Sequence, residues 1–321
     1  MEKVVLESID QHVFDFESKI LEILKPLLAG EPVTVDLNKE GPCAESIGLF
    51  SILDKLCSDF NINKNLISIS TANAVEIKNK YKIVNANQVW LAYYKDLNFQ
   101  VNKNIEKHFG IFIGRSNSNR LFLSAYAYKN HREKTIQTFH FSNDSPLQTG
   151  FDQLNELHHD VNQYTELTND LLSNYPLKLE DIDSYPILTP AHMNIMKYYN
   201  NIFIDIVCET YYTGNTFFPT EKTLRPLLSE TPFLIFGPVN YLANLKKLGF
   251  ETFSDFWPED YDDYDGITRC RIIADRIDLI SRMSTTELNE MYTKMKPILE
   301  HNRNHLKTIT IEKFYSTFQN V

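Results

Sequence analysis

Glycine is scarce in this chain, at 10 of 321 residues, and no Gly-x-Gly-x-x-Gly, Walker loop or Gly-x-Ser-x-Gly elbow occurs. Those absences remove the usual support for a dinucleotide oxidoreductase, a P-loop NTPase or an α/β-hydrolase. The four cysteines, Cys43, Cys57, Cys208 and Cys270, are widely spaced with no Cys-x-x-Cys. Such spacing excludes a disulfide framework or a zinc ribbon and suits free thiols in a reducing compartment. Long apolar runs are missing too, and Glu2, Lys3, Glu7 and Asp10 interrupt the N-terminal pattern. Neither a signal peptide nor a membrane span is therefore expected, and the expected location is cytoplasmic. Net positive charge is lacking: the formal charge is -10 and the pI near 5.4. This balance gives no general attraction to polyanions and disfavours nucleic acid as a partner.

Two acidic or histidine-rich stretches look chemical and lack the necessary spacing. Setting Gly266 as the sixth position of a calcium loop puts Tyr261 first and Ile272 twelfth, where carboxylates are required. His158-His159-Asp160 has no zinc-protease spacing. The Asp-x-Asp matches, Asp181-Ile-Asp183 and those between Asp260 and Asp265, follow no apolar strand run, so no metal is expected.

What is present is a soluble α/β pattern, with 43% hydrophobic, 12% aromatic and 23% charged residues. Spacing predicts a helix from Val4 to Leu28, a strand at Val33–Leu37, a loop from Asn38 to Glu45, a helix from Ile47 to Phe60, and buried strands at Leu66–Thr71 and Val89–Tyr94. The rhythm restarts near His108 with a strand at Phe109–Gly114, a polar turn, a helix opening at Leu121 and a strand at Thr135–Phe141. A surface helix follows over Leu154–Leu171, then strands from Ile202 and Pro232, a helix from Val239 to Leu248, and helices closing the chain. Ser284-Thr-Thr-Glu287 forms a capping box for one of these last helices. The fold class expected is α/β with two doubly wound Rossmann-like units facing a cleft, 1–105 and 106–321.

The richest stretch is Phe217-Phe-Pro-Thr-Glu-Lys-Thr-Leu-Arg-Pro226, set between the apolar runs Ile202–Val207 and Pro232–Gly237. It places Glu221, Lys222 and Arg225 at a helix start, where α/β proteins hold phosphates. Pro226 falls about two turns in and costs roughly 3 kcal/mol inside a helix, so the helix must be short, kinked or interrupted. The plainer alternative is an exposed helix start with an i, i+4 pair of Glu221 and Arg225. Arg115 stands directly after a strand, where open sheets bind ligands.

Glu209, Phe218, Thr220, Glu221, Lys222, Arg225, Gly237 and Pro238 together resemble the fucosyltransferase pattern. The stretch Ile202–Trp257 is similar to the donor-binding half of such enzymes and of related glycosyltransferases of phages and other viruses. Thr210 stands where that family commonly has Asn. The resemblance implies a GT-B architecture, with 1–105 on the acceptor side and 106–321 binding the nucleotide sugar, and transfer of a sugar from that donor to a glycan or other hydroxyl acceptor, inverting and without metal or other cofactor. It implies Lys222 on phosphate, Glu221 on ribose, Glu209 and Arg225 in the donor site, and, from Ser116-Asn-Ser-Asn-Arg120, Arg120 on the diphosphate, a role for which Arg115 competes by its place after the strand. Inverting transfer also needs a carboxylate base. Glu40, in the loop after the first long strand, is the candidate, with Asp36 and Glu45 as alternatives. Two other readings stand beside this one: a viral enzyme that glycosylates modified bases in DNA, and a non-catalytic sugar-nucleotide or glycan-binding protein.

Overall fold

The computed structural model describes residues 2–10, 13–78, 80–140, 161–179 and 193–318. The chain opens with β1 (Glu2–Val5) and a small antiparallel pair, β2 (Ser8–Asp10) and β3 (Val13–Phe14). Helix α1 (Ile20–Leu28) leads into β4 (Val33–Asp36), and α2 (Leu49–Asp59) into β5 (Ile67–Thr71) and β6 (Lys82–Asn85). These strands form a parallel sheet in the order β1-β4-β5-β6. Val33, Val35, Ile67 and Ile69 carry its core, against Ile23 and Leu27 of α1 and Leu53 and Leu56 of α2.

Two local expectations fail here. The predicted helix from Val4 covers only its second part, because Val4 and Val5 pair with Val35 and Asp36 as an edge of the sheet. β-branched residues fit a pleated surface, and the partner strand decides the conflict. The predicted strand at Val89–Tyr94 is instead helix α3 (Val89–Asp96), with Leu91 and Tyr94 buried. A short apolar run does not fix its own period. Here the three-residue spacing wins because α3 lies against other helices.

The second sheet holds β7 (Lys107–Ile113), β8 (Thr135–Phe139), β9 (Ile202–Cys208) and β10 (Phe233–Phe236), all parallel, in the order β10-β9-β7-β8. Every residue of β9 and β10 is buried, as expected where helices cover both faces and strands read as unbroken apolar runs. The chain leaves β7 toward β8 on one side and returns to β9 on the other. The carboxyl ends of β7 and β9 therefore flank a topological switch point, the place where open α/β sheets bind ligands.

Around this sheet lie α4 (Ser118–His131), α5 (Val161–Ser173), α6 (Glu221–Leu228), α7 (Tyr241–Leu248), α8 (Gly266–Ser281), α9 (Thr285–Thr308) and α10 (Ile311–Ser316). The capping box at Ser284 and Glu287 opens α9, with both reciprocal bonds made. Helix α6 is short, eight residues, and Pro226 lies inside it. The expected surface helix appears as α5. Its predicted residues 154–160, together with His158, His159, Asp160, Asp181 and Asp183, lie outside the described residues.

The chain end returns to the first half. Lys78 donates to the Phe318 carbonyl at 2.8 Å and Tyr315 to that of Ala86, while the Phe314 and Phe318 rings meet Phe217 at 5.9 and 5.2 Å. Among the described residues no helix is long and apolar enough to cross a membrane.

Candidate active site

The carboxyl ends of the two sheets are turned on one another. Loop 37–48 after β4 and loop 72–78 after β5 meet loop 209–220, which joins β9 to α6. Asn73 holds this junction: its amide donates to the Asn215 carbonyl at 2.8 Å and its side-chain oxygen accepts from the Phe217 amide at 2.8 Å. The Ala74 amide adds a backbone bond to Phe217 at 3.1 Å. Glu76, buried, accepts from the Ala44 amide at 2.9 Å and from Asn73 at 3.3 Å, which ties the two loops of the first unit together. A small apolar contact of Ala72, Tyr211 and Phe218 seals the seam.

Two glycines permit the close approach. A Cβ on Gly41 would lie 2.5 Å from the Phe218 ring and 3.0 Å from the Asn73 amide nitrogen. Gly214 has φ +66°, and a Cβ there would run into the Ser46 hydroxyl. Gly41→Ala is accordingly expected to destabilise the protein by about 1–3 kcal/mol, the usual worth of overpacking a tight contact. A denaturant titration matching that of the parent would show that the seam tolerates the extra methyl group.

Glu40 sits at this seam, half-buried, on a loop whose preceding residues Asn38 and Lys39 have φ of 51° and 65°. That left-handed turn carries the chain from the strand end toward the second unit. The Glu40 Oε2 accepts a hydrogen bond from the Tyr211 hydroxyl at 2.9 Å, across the seam. Burial raises the Glu40 carboxyl above the ordinary glutamate range. The Tyr211 bond and the charges of Lys222 and Arg115 pull it down in part, and the charge of Glu221 pushes it up. The groups that act on Glu40 thus include three expected donor-site residues from the other unit.

The two alternative bases face elsewhere. Asp36 is buried and pairs with Lys3 at 2.5 Å, while Glu45 is exposed and pairs with Lys80 at 3.2 Å. Of the three acids, Glu40 is the one bonded to the second unit.

On the other side of the seam, Glu209 ends β9 as a buried anchor. Its Oε1 accepts from the Thr220 amide at 3.2 Å, the Thr223 hydroxyl at 2.5 Å and the Tyr241 hydroxyl at 3.0 Å; its Oε2 accepts from the Thr220 hydroxyl at 2.6 Å and the Thr210 amide at 3.2 Å. A carboxylate of the chain therefore already lies at the start of α6, where a helix N-terminus favours negative charge. Glu209 builds the site from beneath, without an oxygen turned to the seam.

Thr220 caps α6, and Lys222 projects from the first turn with its side chain 20% exposed. Its ammonium donates to Glu221 Oε1 at 2.6 Å and to the Thr210 hydroxyl at 3.0 Å. Glu221 Oε1 also lies 3.5 Å from the Arg225 guanidinium, so the expected i, i+4 pair exists, but it is buried on both sides. Arg225 is held above its ordinary range by Tyr94, Tyr199 and Glu221 despite its burial. It fixes Glu221 from behind and does not face solvent.

Arg120 and Arg115 separate in the same way. The Arg120 guanidinium is buried and donates to three carbonyls: Arg115 at 2.6 Å, Cys208 at 3.1 Å and Glu209 at 2.6 Å. It bolts the turn after β7 to the end of β9 and is committed to that task. Asn117 caps α4 by accepting from the Arg120 amide at 3.0 Å. Arg115 is exposed on the turn so formed, at the switch point.

The acidic run near Asp260 is structural. Asp262 accepts from the Leu242 and Ala243 amides at 2.9 and 3.1 Å and pairs with Arg269 at 3.0 Å; Asp260 pairs with Arg276 at 2.6 Å. Among the described residues no group of three or more His, Cys, Asp or Glu is placed to hold a metal ion.

Sequence reasoning missed Tyr211, Asn73 and Glu76. Asn73 meets residues more than 140 positions away, and neither Asn73 nor Glu76 belongs to a spaced motif. For Tyr211 the signal that could have found it is its place two residues after Glu209, just past an apolar strand run.

No protein-family model matches the chain, and no curated protein sequence matches it. Two solved structures resemble it. One is an α,α-trehalose-phosphate synthase (UDP-forming) from Burkholderia vietnamiensis, with TM-score 0.44 and 10% identity, over 92% of this chain and 67% of the other. The second is an α,α-trehalose 6-phosphate synthase from Burkholderia multivorans, with TM-score 0.44 and 10% identity, over 92% of this chain and 66% of the other. The chain spans about two thirds of the length of each.

Proposed function

We propose that this protein is a GT-B glycosyltransferase that moves a sugar from a nucleotide-sugar donor to an acceptor hydroxyl with inversion and without a metal ion. The observation that carries the reading is the hydrogen bond at 2.9 Å from Tyr211 of the second unit to Glu40 of the first, on the carboxyl ends of both sheets and beside a topological switch point, where the charges of Lys222, Glu221 and Arg115 also act on Glu40. The similarity of the Ile202–Trp257 stretch to fucosyltransferase-like and viral glycosyltransferases supports the same assignment.

In this reading the donor diphosphate lies between Arg115 and Lys222, and Glu221 accepts from the ribose hydroxyls. Glu40 takes the proton of the acceptor hydroxyl as its oxygen bonds to the anomeric carbon. The bond from that carbon to the diphosphate breaks, and the leaving charge rests on the two cations. A carboxylate held above its ordinary range suits the proton transfer, since a base works best when its proton affinity approaches the working pH. Cations fixed before the reaction stabilise the leaving group without reorganisation.

The test is a thermal-shift series with nucleoside diphosphates and nucleotide sugars, with and without EDTA. A ligand at a hundred times its dissociation constant adds about 2.7 kcal/mol to stability. A shift by at least one nucleotide sugar that survives chelation is expected. No shift by any of them would overturn the assignment, and a shift lost to EDTA would overturn its metal-free form.

A further inference from the structure

We infer that Tyr211 is the positioning residue for Glu40, a phenol of the donor-side unit that holds the acceptor-side carboxylate in place when the two units are joined. This rests on the reading of Glu40 as the base. The geometry is specific. The Tyr211 hydroxyl donates to Glu40 Oε2 at 2.9 Å, and no described residue donates to Oε1, which leaves that oxygen to meet an acceptor hydroxyl. A carboxylate at the end of a flexible side chain has two equivalent oxygens and free rotation. A donor on one oxygen removes that freedom and presents the other in a fixed direction.

Tyr211 is itself well held. It is 3% exposed, packs against Phe218 with ring centroids 6.1 Å apart, and follows the Glu209–Thr210 anchor by one residue. Phe218 in turn covers Gly41, next to Glu40 in the chain. The ring and the carboxylate are therefore fixed from both ends of one seam. Burial and the neighbouring carboxylate push the phenol up, which favours its protonated, donating form. The charged and titratable groups facing Glu40 are Tyr211, Lys222, Glu221 and Arg115. Of these only Tyr211 makes a hydrogen bond to the carboxylate.

The test uses Tyr211→Phe in the full chain, with the Glu40 carboxyl followed by carbon-13 NMR after glutamate labelling and assigned by its absence in Glu40→Gln. Removing a hydrogen bond that favours the ionised form moves the Glu40 midpoint to higher pH. With a nucleotide sugar that binds, transfer or donor hydrolysis near neutrality should fall by about ten- to hundredfold, the worth of a hydrogen bond to a charged group. KM for the donor should hold, and the acidic limb of the rate profile should move up with the midpoint. An unmoved midpoint overturns the inference, whether or not transfer has been found. A moved midpoint with an unchanged acidic limb also overturns it. If Glu40→Gln retains full transfer, the base assignment fails on its own, separately from the titration. Circular dichroism and the melting curve of Tyr211→Phe guard against a folding defect, and Tyr211→His, which keeps a donor on a ring, should restore part of the lost rate.

Discussion

Glu40→Gln is expected to abolish most transfer while leaving donor affinity intact, with a loss of roughly two to four orders of magnitude in rate, the usual contribution of a general base. The glutamine keeps the shape of the side chain and can still accept from Tyr211, so the seam should close as before. What disappears is the proton acceptor. In the parent the rate should fall as pH drops through the raised Glu40 range, so the acidic limb lies above the 4.5 of an ordinary glutamate. Stability gives an independent check. The folded protein binds this proton more tightly than the unfolded chain does, so the parent loses stability as pH rises from 4.5 through the raised value. Glu40→Gln escapes that loss. Its advantage should be present at neutral and higher pH and vanish in acid. A melting comparison at the two ends of this range reads the effect without any substrate. Full activity in the variant would remove Glu40 from the chemistry. Donor binding with no transfer by the parent to any acceptor would favour a binding protein on the same scaffold.

Lys222→Ala is expected to weaken the binding of every nucleotide sugar and nucleoside diphosphate that the parent binds, by about ten- to hundredfold, the worth of one charge-assisted contact. The fold should survive. Glu221 keeps Arg225 as its partner, Thr220 still caps α6, and Glu209 still anchors the loop. Transfer should fall further than binding, because the leaving diphosphate carries more charge in the transition state than in the bound donor. Calorimetric titration of the variant checks this directly. Wild-type affinity for all of these ligands would place the phosphates somewhere other than the start of α6. The companion change Arg120→Ala should behave differently: it removes three bonds to backbone carbonyls, two of them buried, and should lower stability before it touches affinity.

Arg115 and Arg120 lie five residues apart around the same turn, and both suit a diphosphate by type. One faces outward at the switch point. The other bends back to tie the turn after β7 to the end of β9, donating to the Cys208 and Glu209 carbonyls. The same holds for the acids after β4. Asp36 ends β4 and Glu40 and Glu45 lie in the loop after it, and their partners, Lys3, Tyr211 and Lys80, sort them into a sheet end, a seam and a surface. Glu209 stood in the right motif, but its five hydrogen bonds make it the floor of the site, under Lys222 and Glu221.

Local order was legible where one force governs it. The unbroken apolar runs at Ile202 and Pro232 read as buried strands, Pro226 marked a helix that is short, kinked or interrupted, and Ser284 with Glu287 marked a helix start. Those features follow from hydrophobic period, ring geometry and backbone hydrogen bonding within a few residues. Val4, Val5 and Val89–Tyr94 could have gone either way, and their neighbours in space decided them. The sequence by itself determined an α/β chain of two units with a polar, cation-bearing helix start after the β9 strand. Only the tertiary structure decided that Glu40 meets Tyr211 and the charges of Lys222, Glu221 and Arg115, because that meeting joins loops some 170 residues apart, and only the packing of Gly41 under Phe218 and the bonds of Asn73 bring them within reach.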